Sequence, residues 1–114
     1  SMQWSIVVAN RQTIGDEPEL LSAVLRASQR SYHYCIDHPD EWAAFGARWF
    51  GTDHRTMAKS IERELHYLHG DCDLNADHVQ LAIDLQLQLG AINAPLIAAD
   101  LIVPDFAPAS ITAA

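Results

Sequence analysis

The sequence predicts a mainly helical α+β domain, with one N-terminal β-strand followed by about four helices. Three features of the chain point there. A short, unbroken β-branched and apolar run, Ile6-Val7-Val8-Ala9, has the form of a strand buried on both faces. Past it, apolar residues recur every three and four positions, the spacing of one face of a helix. Between these periodic stretches stand Pro, Asp and Asn at helix starts and Gly at helix stops.

The β-branched run lies in the opening segment, residues 4–14, which turns polar at Asn10-Arg11-Gln12. A single strand cannot satisfy its own backbone N–H and C=O groups, so it needs a partner. That requirement leads to the expectation of a homodimer formed through the N-terminal strand, by β-addition across a two-fold axis.

The first helix is expected from Asp16, which stands at capping-box spacing from Glu19, with Pro18 tolerated in the opening turn. Leu21, Val24, Leu25, Ser28, Tyr32, Cys35 and Ile36 form its apolar face, and Pro39 closes it near Asp37. The second helix follows at once. Asp37 is its expected cap, Asp40 and Glu41 suit its positive N-terminal end, and Gly51 is its stop. It is loaded with the aromatics Trp42, Phe45, Trp49 and Phe50, and the helical spacing of Trp42, Trp49 and Phe50 suits a core or an interface in preference to a ligand-binding wall. Thr52 or Asp53 caps the third helix, striped by Met57, Ile61, Leu65 and Leu68 and ended by Gly70. Asn75 caps the fourth, which runs through Leu89 to the stop at Gly90. There Val79, Leu81, Ala82, Ile83, Leu85, Leu87 and Leu89 surround the axis, the mark of a sandwiched helix. Pro95 precedes a short segment over residues 96–101. Residues 3–106 therefore read as a single domain and residues 107–114 as a loosely ordered tail; Ser1-Met2 resembles the remnant of a cleaved tag. The predicted core is Ile6, Val8, Leu21, Leu25, Trp42, Phe45, Ile61, Leu65, Ile83 and Leu87.

Composition narrows the function classes. At 114 residues with 49% hydrophobic content the chain suits one compact domain, and disorder is not expected. A net charge of -8, from 15 acidic against 7 basic residues, sets it against nucleic acid and anionic lipid, which it would repel. No apolar run reaches the roughly 18–20 residues of a membrane span. Cys35 and Cys72 form no CxxC unit, and their redox state stays open between a disulfide and two buried thiols.

Candidate chemistry is sparse. His66, His69 and Cys72 are spaced three apart, and a helix end with its following loop would bring them near one another. A single cluster without a second ligand pair is a weak zinc signal, so a solvated helix end is the preferred reading and no metal is expected. The carboxylates between Asp37 and Glu41 belong to helix capping. There is no Gly-x-Ser-x-Gly elbow and no phosphate-cradling glycine loop, so no catalytic residue, cofactor or enzymatic activity is expected.

The order of these elements resembles a known family. Val8-Ala9-Asn10-Arg11 leads into Pro18-Glu19-Leu20, and the helix so opened ends at Ile36-Asp37-His38-Pro39-Asp40-Glu41-Trp42. Phe50-Gly51-Thr52-Asp53, Leu89-Gly90-Ala91-Ile92 and Asp100-Leu101-Ile102-Val103-Pro104-Asp105-Phe106 follow in turn. This succession resembles the C-terminal part of ABC-importer substrate-binding proteins of the nitrate, sulfonate, taurine and bicarbonate class, with a type II periplasmic-binding-protein fold. The resemblance implies a two-lobed receptor, periplasmic or extracellular, that closes on a small anion and delivers it to an ABC permease at the membrane. This chain would supply only the final portion, so no ligand-binding residue is carried over and those residues stay unknown. Some relatives of the fold make a thiamine pyrimidine precursor, and their cysteine-rich signature is absent here. The alternative reading is a small self-associating helical module with a binding or regulatory role and no transport activity.

Overall fold

A computed structural model describes residues 6–67 and 73–112. Its α-helices are α1 (Arg11–Asp16), α2 (Pro18–Asp37), α3 (Pro39–Phe50), α4 (His54–Glu64), α5 (Ala76–Gln88), α6 (Ala98–Leu101) and α7 (Pro108–Thr112), with 3₁₀ turns at Leu65–Tyr67 and Pro104–Phe106.

The expected N-terminal strand does not form, and the α+β class gives way to an all-helical architecture among the described residues. Residues 6–10 carry no regular structure and lie exposed, Val8 at 78%. The physical reason is the one that made a lone strand demanding. β-Branched residues favour a strand only where a pleated, paired surface exists, and no other described segment provides a ladder. Asn10 instead ends the run by capping α1, its Oδ1 accepting from the Thr13 N–H at 2.7 Å.

The chain divides into two compact units. In the first, Arg26–Cys72, α3 and α4 form a hairpin. Gly51 ends α3 in the left-handed region (φ 67), a conformation that favours glycine, and Thr52 donates its N–H back to the Ala47 carbonyl at 3.0 Å. Asp53 then caps α4, accepting from the Thr56 N–H at 2.9 Å and from the Thr56 hydroxyl at 2.6 Å. The face of α3 buried in this unit consists of small residues, Ala43, Gly46 and Ala47. A Cβ at Gly46 would stand 3.0 Å from the Met57 Sδ, so the absence of a side chain there sets how near the two helices come. Ile61 is buried on α4, as its stripe predicted.

The aromatics of α3 are not core. Phe45 is 55% exposed, Trp49 and Phe50 are both 73% exposed, and Trp42 is half-buried. Of the other expected core residues, Ile6 and Val8 are exposed, while Leu21, Leu25, Leu65, Ile83 and Leu87 are half-buried.

The second unit combines Ser1–Leu25 with Asp73–Ala114. Asn75 caps α5 as expected, accepting from the His78 N–H at 3.1 Å, and the Ala91 N–H returns to the Gln86 carbonyl at 2.9 Å past the stop at Gly90. Gln80 fastens α5 to the chain beyond it. Its Nε2 donates to the Leu96 carbonyl at 2.9 Å and to Asp84 Oδ1 at 2.8 Å, while its Oε1 accepts from the Ala98 N–H at 2.8 Å. Ala98 is 1% exposed, so this side-chain amide does for a buried backbone N–H what a neighbouring main chain would do. Val79 and Ile111 are buried in the same unit.

Candidate functional site

The last turns of α2 carry two ladders of residues four apart, Gln29-His33-Asp37 and Arg30-Tyr34-His38, the last of these lying at the α2–α3 junction. Four-residue spacing places each ladder along one line of the helix surface. Together the six line a shallow groove open to solvent, within the unit Arg26–Cys72.

The α2–α3 junction fixes part of this groove. Pro39 occupies the first position of α3, and no side chain caps that helix, so the expected capping role of Asp37 is not realised. His38 instead stacks on Tyr34, with ring centroids 4.1 Å apart and planes 15° from parallel. Its Nδ1 lies 2.9 Å from the Tyr34 carbonyl oxygen. A carbonyl only accepts, so Nδ1 holds the proton and Nε2 is left as the second functional atom of the ring. The Tyr34 hydroxyl donates to Glu41 Oε2 at 2.7 Å. That hydrogen bond is the first cause raising the phenol above its ordinary value of 10.0, with desolvation and the negative charge of Glu41 adding to it.

Chemically the groove is of mixed sign. Arg30 offers the planar donor fork that matches an oxyanion, with His33 and His38 beside it, while Asp37 provides a carboxylate. Gln29 is the buried polar member of the set. Sequence reasoning did not single out Arg30 or His33. The signal that could have found them is the paired four-residue repeat of polar and aromatic residues on a helix end that is otherwise amphipathic.

The other candidates fall elsewhere. His66 lies exposed in the Leu65–Tyr67 turn, its ring 4.1 Å from that of Tyr67, whereas His69 and Cys72 lie outside the described residues. Among the described residues no three His, Cys, Asp or Glu side chains gather as a metal site would require. Cys35 is a half-buried free thiol. Trp49 and Phe50 take no part in the groove. Among the described residues no helix is long and apolar enough to cross a membrane.

Residues 2–42 match the model of the family described as NMT1/THI5 like, a family of nitrate-, sulfonate- and taurine-binding substrate-binding proteins that are generally non-enzymatic and typically periplasmic. The match runs from the N-terminal segment through α1 and α2 into the first turn of α3, and so takes in all six groove residues. The segments around Gly51, Gly90 and Pro104 that resemble the same class lie outside it. No curated protein and no solved structure matches the chain.

Proposed function

From the NMT1/THI5-like match over residues 2–42, we propose that this chain is the substrate-binding component of an ABC importer, or the C-terminal portion of one, for a small anion such as nitrate, a sulfonate or taurine. The match is the observation that carries the reading. The protein acts in the periplasm or at the outer surface, hands its ligand to an ABC permease, and catalyses no reaction. The groove on α2 is consistent with an anionic ligand, because Arg30 supplies a charged donor fork there. Asp37 in the same groove suits a ligand that also bears a cationic group, as taurine does.

Isothermal titration of the protein with nitrate, taurine, methanesulfonate and bicarbonate tests this. One of the four is expected to give saturable binding at a single site. Arg30→Ala is expected to weaken it by about tenfold or more, the loss of one charge-assisted hydrogen bond. Absence of binding by every one of them would mean that this chain does not by itself hold such an anion.

A further inference from the structure

Helix α3 has two apolar faces and uses one of them. Its small face, Ala43-Gly46-Ala47, closes on α4. Roughly a third of a turn round the axis, Trp42, Phe45 and Trp49 stand at the i, i+3, i+7 spacing of a coiled-coil seam. Phe45 and Trp49 are mostly exposed, and their rings already lie nearly parallel, 16° apart at 5.9 Å. The stack forms a flat aromatic plate on the helix surface.

From these features we infer that α3 pairs, antiparallel and across a two-fold axis, with α3 of a second copy of this chain. The seam spacing calls for a helix as its occupant. The flanking charges select which helix and in which direction. Glu41 and Arg48 are seven residues apart, on the same flank of the seam, and each immediately precedes one of the tryptophans. In an antiparallel pair equivalent flanks face each other, so Glu41 of each copy meets Arg48 of the other, giving two identical ion pairs from one sequence. A parallel pair would set that flank against the opposite one, where Pro39 and Gly46 offer no charge. The register that joins Glu41 to Arg48 also lays Trp42 of one copy on Phe45 of the other. Glu41 has one oxygen engaged by Tyr34 and a second for the ion pair, and Arg48 has no ion pair among the described residues. Three aromatic side chains per copy bury less than the ~1,200 Å² of a stable complex, so the association is reversible and of micromolar strength.

Sedimentation velocity on the chain from about 1 to about 500 μM covers the affinity that such an area supports. The expected result is a concentration-dependent monomer–dimer equilibrium that Phe45→Ala or Trp49→Ala abolishes while helical circular dichroism is retained. Glu41→Arg and Arg48→Glu, made singly, should each weaken the dimer by about tenfold, and together should restore it to within about threefold of the original. A monomer throughout the range would overturn the inference and leave the aromatic face to another occupant. So would a dimer indifferent to the α3 variants. A charge-swapped double variant no better than the single ones would overturn the antiparallel register.

Discussion

Asp53 illustrates what a single residue contributes at a helix start. The Thr56 hydroxyl and then the Thr56 N–H bond to its carboxylate and hold its pKa below the ordinary 3.8. Because the folded value is the lower one, its contribution to stability is fully present above the ordinary pKa. That contribution is lost as pH falls through the folded value. Asp53→Asn keeps an oxygen to accept from Thr56 but cannot titrate. The helical signal of that variant is therefore expected to be less acid-sensitive than that of the parent below the carboxylate range, as circular dichroism against pH would show; identical acid profiles would dissociate the cap from the acid response. Gln80 acts over a longer reach. Gln80→Ala leaves the Ala98 N–H without its acceptor in a nearly closed site, and is expected to cost about 1–3 kcal/mol in urea denaturation. A loss below about 0.5 kcal/mol would mean that water replaces the amide there. The two residues differ in legibility for a plain reason. Asp53 bonds three residues ahead and was visible as a cap candidate, whereas the backbone partners of Gln80 lie sixteen and eighteen residues along and left no local pattern.

At the scale of elements, helix position was legible and helix facing was not. Gly51 and Gly90 stop α3 and α5, and Asp53 and Asn75 start α4 and α5, where local chemistry placed them. Periodicity tells which residues share a face, but not which face meets a neighbour. Helical spacing suited the α3 aromatics to a core or an interface, and α4 packs instead on Ala43, Gly46 and Ala47, whose small side chains permit the closest approach. The first expected helix was placed from Asp16; the chain instead closes α1 at Asp16 and opens α2 at Pro18, where a proline costs the helix no hydrogen bond. Burial now separates two positions that the sequence treated alike. Ile61→Ala is expected to cost about 2–5 kcal/mol, and Leu25→Ala, at a half-buried site, distinctly less. Equal losses in paired denaturation curves would show that Leu25 has neighbours equivalent to those of Ile61.

At the scale of the molecule, the correction to the strand and the family match concern the same stretch of chain. Residues 6–9 were read as a strand from their β-branched composition, and the structure leaves them exposed and without regular secondary structure. Composition reports a strand's side-chain preference, whereas formation depends on a neighbour to complete the ladder. The same stretch, continued through α2 to Trp42, carries the likeness to the nitrate-, sulfonate- and taurine-binding class. That likeness was legible because the order of caps and stops through Pro18, Pro39 and Trp42 survives whatever the first residues pair with. The groove was less legible, since Arg30 and His33 stand in no recognised motif and acquire meaning only when the helix places them beside Tyr34 and His38.

The proposed role of the protein is capture of a small anion for import. Its most direct test is to disrupt the gene that encodes the protein and to follow accumulation of isotope-labelled nitrate, taurine and methanesulfonate in cells held at limiting supply. Uptake of at least one of these is expected to fall sharply and to return when the intact gene is restored. Unchanged uptake of every one of them, with and without the gene, would contradict it.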